Sequence, residues 1–166
     1  MKERTVALVP VMLLVLPFAY AQGGMPDPGM LPDSPFYSLK LFVESIGTTF
    51  TFGAEARAER ALELAEVRLA EAQVMADMDK DDLAVKAVAD YEAKIEEAHE
   101  NAADIEDAEK RAEVTDRIEA ATSAHIDVLN EVKLKVPASA RAAIEGAIDA
   151  SMKGGESATD EDDESE

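Results

Sequence analysis

The chain has 166 residues, with 16 Lys plus Arg against 36 Asp plus Glu, and no cysteine. A formal charge of −20 argues against a nucleic-acid binder, because phosphate contacts need clustered Lys and Arg. The lack of Cys excludes disulfides, thiolate metal sites and a cysteine nucleophile, and two His leave little for a His-based catalytic metal.

Lys2 and Arg4 precede the apolar run Val6 to Phe18, and Ala19-Tyr20-Ala21 makes a small-x-small cleavage site. Residues 1–21 therefore read as a secretory signal peptide, with the mature chain expected to begin at Gln22. The alternative is an uncleaved anchor. Thr5–Gly24 is uncharged and close to the roughly 20 residues that span a bilayer, although Pro10 and Pro17 interrupt it. Either reading places the remainder outside the cytoplasm, secreted or at the cell surface. Membrane attachment, if any, runs through this segment, because no later apolar run is long enough.

Residues 22–33, with Gly23, Gly24, Pro26, Pro28, Gly29 and Pro32, form a linker. The punctuation then stops, with no Pro between Pro35 and Pro137 and no Gly between Gly53 and Gly146. A breaker-free stretch rich in Ala, Glu, Leu and Lys is helical on propensity. Asp33 or Ser34 caps a first helix with Pro35 at its first position. In it Phe36, Leu39, Val43, Ile46 and Phe50 recur at helical spacing, and Gly47 and Thr48–Phe52 blur its end. A second helix over about 54–76 aligns Ala58, Leu62, Ala65, Leu69, Ala72 and Ala76. A third over about 82–103 aligns Val88, Tyr91, Ile95, Ala98 and Ala102, and a fourth over about 107–135 aligns Val114, Ile118, Thr122, His125, Leu129, Val132 and Val136. Pro137 opens a fifth, with Ile144, Ala147, Ile148 and Ser151 on one side and Gly154-Gly155 as its stop.

The pattern predicts an all-α fold, an antiparallel helical bundle of about five helices with Ala-rich seams over residues 34–153. Residues 154–166 follow as a disordered acidic tail, with seven carboxylates and no basic residue from Glu156 onward. All four Phe beyond the leader lie between Phe36 and Phe52. The economical expectation is that this segment plugs a core of small side chains, because exposed aromatic stripes are rare in soluble domains. The alternative is a docking face for a partner.

Leu31-Pro32-Asp33-Ser34-Pro35-Phe36-Tyr37-Ser38-Leu39-Lys40, followed by Glu44, resembles the opening of the family described as domain of unknown function 5667. There a proline-flanked turn enters a helix with a Tyr, a Leu-Lys pair and a Glu. The stretch Arg60 to Ala72 is similar to its second helix, and His125 with Leu129, then Pro137 to Ile148, to its closing segment. The resemblance spans about residues 31–153. It implies a helical extracytoplasmic domain of archaea or bacteria, and carries over neither an activity nor catalytic residues.

Asp77-Met78-Asp79-Lys80-Asp81-Asp82 has the alternate carboxylates that open a calcium loop, so Asp77, Asp79 and Asp81 are weak metal candidates and weak Ca2+ binding is one expectation. Asp82 stands where such a loop needs Gly, and Val88 where it needs a bidentate Glu. The competing reading is a helix-hairpin turn capped by Asp81 or Asp82. Glu96-Glu97-Ala98-His99 has the Glu-x-x-His spacing of di-iron bundles, but Thr122 stands where His125 would need its Glu. His125 lies on an apolar stripe and reads as a buried, hydrogen-bonded ring. Met25, Met30, Met75 and Met78 read as core or linker filler rather than copper ligands. No phosphate loop, nucleophile elbow or Ser/His/Asp pattern occurs, so no catalytic residue and no cofactor are assigned. The functional expectation is a non-enzymatic helical module that binds another protein or itself. An acidic cation-binding envelope protein is the alternative, and an unrecognised hydrolase ranks last.

Overall fold

A computed structural model describes residues 25–153; the leader, the first residues of the linker and the acidic tail lie outside the described residues. Five helices follow in order: α1 (Tyr37–Thr49), α2 (Ala54–Asp77), α3 (Asp81–Ala103), α4 (Ala108–Lys135) and α5 (Ala138–Lys153). No strand occurs among the described residues. The fold is an all-α bundle.

Some helix ends follow local chemistry; α1 begins at Tyr37 after Phe36, and α3 at Asp81 after Lys80, and neither has a side-chain cap, so the expected caps from Asp33 or Ser34 and from Asp81 or Asp82 are not made. Gly53 precedes α2 with φ 93, a backbone region that Gly enters without steric cost. Asp107 caps α4 by accepting from the N–H groups of Glu109 (3.1 Å) and Lys110 (3.2 Å), which satisfies donors the helix leaves free. Lys133 and Lys135 sit in the last turn of α4, where cations complement the helix dipole. Pro137 then separates α4 from α5 and accepts from Ala140 N–H at 2.9 Å.

Antiparallel α2 and α3 form the central hairpin; α4 packs on both, and α5 packs on α3 and α4. Their seam is made of small residues: Ala58, Ala65, Ala72, Ala84 and Ala98 are fully buried. Leu69, Met75, Ile118, Leu129 and Ile144 fill the remaining space. The expectation that the Phe-rich segment plugs this core is corrected by the structure. The largest fully buried side chain is Tyr91 of α3, whereas Phe36, Phe42, Phe50 and Phe52 are 64%, 62%, 69% and 81% exposed. Tyr91 supplies the bulk that an alanine seam needs, from the middle of the bundle.

Candidate interaction surface

Helix α1 runs antiparallel along α2, since Tyr37 and Lys40 reach Glu71 while Gly47 lies beside Arg60. On a helix, residues 37, 40, 44 and 48 share one side and residues 39, 42, 43 and 46 the other. The first side is the polar one, and it faces the body. The Tyr37 hydroxyl donates to Glu71 Oε2 at 2.6 Å, and Arg68 Nη1 donates to Tyr37 Oη at 2.9 Å and to Glu71 Oε1 at 2.6 Å. Lys40 pairs with Glu71, and Arg68 pairs with Glu44. Lys40 Nζ also donates to the carbonyls of Pro28 (2.5 Å) and Met30 (3.2 Å), so the segment entering α1 is tied to the same cluster. Burial and the adjacent Glu71 carboxylate push the Tyr37 hydroxyl pKa well up.

This clasp sets the rotation of α1. Tyr37, Arg68 and Glu71 are buried, and buried ionic groups require partners; the partners lie on α2. With the polar side turned inward, Leu39, Phe42, Val43 and Ile46 project outward. Phe36 and Phe50 extend the apolar surface at the two ends of the helix, whereas the exposed Phe52 lies beyond it and lines a groove with Glu55, Asp104 and Asp107. Lys40 and Glu44, the two charged residues of α1, are both drawn into the clasp. The surface is therefore both apolar and uncharged on a molecule of charge −20. Beside it, α1, α2 and α3 enclose an open groove of about 420 Å3 lined by Leu41, Glu44, Thr48, Leu64, Lys86 and Lys94 among others.

A second polar cluster lies at the heart of the bundle. The Tyr91 hydroxyl is 3.1 Å from Ser151 Oγ and 3.3 Å from His125 Nδ1, and His125 Nε2 is 4.0 Å from Glu66 Oε1. Donation from Ser151 to Tyr91 and from Tyr91 to Nδ1 leaves the ring proton on Nε2, facing Glu66, which satisfies the neutral imidazole. Burial lowers the His125 pKa to about 4 and raises that of Tyr91 to about 12. Burial also raises the Glu66 pKa. All four side chains are buried, and none of them lines the groove beside α1 or the groove near Phe52. The cluster satisfies polar groups inside the core.

The aspartates of the α2–α3 connection are spread around a turn. Asp79 holds φ 56, its N–H bonds to Ala76 O at 3.2 Å, and Lys80 N–H bonds to Met75 O at 2.9 Å. This is the helix-ending arrangement in which a left-handed residue closes the last turn, and Asp tolerates that conformation. Asp77 pairs with Lys135 at 2.5 Å, and Asp81 opens α3. Asp77, Asp79 and Asp81 thus do not converge, and no cluster of three His or acidic residues able to hold a metal occurs among the described residues. His99 is half-buried on α3. Burial lowers its pKa against the opposing influence of Glu119.

The clasp escaped the sequence reading because its members are separated by as many as 34 residues. A signal existed in α2. Leu64, Arg68, Glu71 and Met75 form a second stripe beside the alanine seam, and all are buried, so α2 is covered on two sides. No described helix is long and apolar enough to cross a membrane. No curated protein and no solved structure matches the chain. The model of the family described as Domain of unknown function (DUF5667) matches residues 29–139, taking in the clasp, α1 to α4 and the start of α5, and the chain belongs to that family.

Proposed function

We propose that this protein is a non-enzymatic, extracytoplasmic helical module that works by docking a macromolecular partner on the outer side of α1. The observation that carries the reading is the inverted helix: charges inward, phenylalanines outward. Seven apolar side chains from Phe36 to Phe52 are between 42% and 81% exposed. Contiguous apolar surface beyond a few hundred Å2 marks interaction sites on soluble proteins. The clasp supports this, because it holds α1 in register while leaving its apolar side free. Location outside the cytoplasm rests on the basic, apolar and small-x-small sequence of residues 1–21.

The test is site-specific photocrosslinking in intact cells, with benzoylphenylalanine in place of Phe42 or of Ala124 on the exposed side of α4. Adducts from position 42 but not from position 124 are expected. Equal or absent adducts at position 42 refute the reading. Mass spectrometry of the accumulated protein is expected to show Gln22 as its first residue.

A further inference from the structure

Resting on that reading, we infer that the partner is a second copy of this chain, packed α1 against α1 about a two-fold axis. Area is the first argument. At about 150–250 Å2 for an aromatic side chain and somewhat less for an aliphatic one, the exposed parts of Phe36, Leu39, Phe42, Val43, Ile46 and Phe50 amount to roughly 650 Å2. That lies toward the lower end of what each partner contributes to a standard stable interface, and at or above the upper end of the largest patch on most monomers.

Charge is the second. Two molecules of charge −20 come together most readily where neither presents a carboxylate, and the outer side of α1 is such a surface. Its one carboxylate, Glu44, is paired with Arg68, and its one ammonium, Lys40, with Glu71. A membrane surface fits less well. Helices that lie in anionic lipid carry free Lys or Arg on their polar side, whereas Lys40 is only 14% exposed and faces the body. The described residues before α1 are occupied with the body instead: Lys40 holds Pro28 and Met30, and Met25 and Leu31 pack against the core.

Symmetry is the third. A two-fold interface places the same patch on both sides. Val43 stands seven residues from both Phe36 and Phe50, so an antiparallel pairing centred on Val43 brings Phe36 of each copy to Phe50 of the other.

The experiment uses the full chain as it accumulates in an exporting host. Sedimentation equilibrium is expected to give twice the monomer mass, with tighter association at about 1 M than at about 0.05 M salt as screening removes the repulsion. Phe42→Asp is expected to weaken association roughly a hundredfold or more while helicity by circular dichroism is unchanged. The chain has no native cysteine, so Val43→Cys is expected to form a disulfide-linked dimer on mild oxidation, and Ala124→Cys is not. A monomer at every concentration overturns the inference. So does a dimer that survives Phe42→Asp, or one that crosslinks equally through Ala124→Cys. A monomer that instead binds phosphatidylcholine–phosphatidylglycerol vesicles, and loses this with Phe42→Asp, overturns self-pairing but leaves the interaction reading standing. A monomer without vesicle binding and without adducts from position 42 overturns both.

Discussion

Helix α1 and the four-helix body solve opposite problems. In the body, alanines and branched aliphatics face inward and most charges face solvent. In α1, Lys40 and Glu44 face inward and Phe42, Val43 and Ile46 face solvent. The body is held by apolar burial, which is non-directional. The attachment of α1 depends on hydrogen bonds and ion pairs of defined geometry. A helix attached through polar groups keeps its apolar side available, and this is how a domain holds a sticky surface without folding over it.

Removing one member of the clasp should have the largest effect. Glu71→Ala leaves Arg68 and Lys40 without their shared buried partner, with an expected loss of about 3–5 kcal/mol. Urea denaturation measures it. Glu59→Ala, which breaks an exposed pair with Arg117, should stay within about 0.5 kcal/mol. Equal losses for the two would show that the clasp does not hold α1.

The core His comes next. Burial holds the His125 pKa at about 4, against about 6.5 in an unfolded chain. The unfolded state therefore takes up the proton first as pH falls. The stability that the neutral ring contributes is complete above about pH 6.5 and drains away toward pH 4, a loss on the order of 3 kcal/mol. Glu66, whose pKa is raised by burial, works in the opposite direction in the acid range and makes the net slope shallower. His125→Gln should remove the His component, and an unchanged slope between pH 7 and 4.5 in denaturation curves would contradict it.

Smaller effects test the ends and the outside. Asp107→Ala should cost about 1 kcal/mol by removing the α4 cap, read as a lowered denaturation midpoint. Phe42→Ala, measured dilute enough to be monomeric, should change stability by no more than about 0.5 kcal/mol. As a large-effect reference, Leu69→Ala in the fully buried seam should cost about 2–5 kcal/mol. A Phe42 effect as large as that of Leu69 would erase the contrast between the two regions.

The body was legible because its signals are local. Gly53 before α2, the Asp turn before α3 and Pro137 before α5 lie where those helices begin. The stripe Val114, Ile118, Thr122, His125, Leu129, Val132 and Val136 is buried throughout, as its spacing predicts. Tyr91 was visible as a stripe member, although not as the bulk of the core. The placement of α1 was not legible. Its Leu39, Val43 and Ile46 have the spacing of a buried stripe, and periodicity says which residues share a side without saying which side turns inward.

Sequence alone determined that the chain is helical and roughly where α2 to α5 begin, because propensity and breakers act over a few neighbouring residues; the ends of α1 and the expected side-chain caps before α1 and α3 were not settled by it. The acidic surface followed from composition. Only the tertiary structure decided that α1 is inside out. That choice depends on Arg68 and Glu71 meeting Tyr37, Lys40 and Glu44 across two helices, and ionic groups leave water only where such partners wait for them.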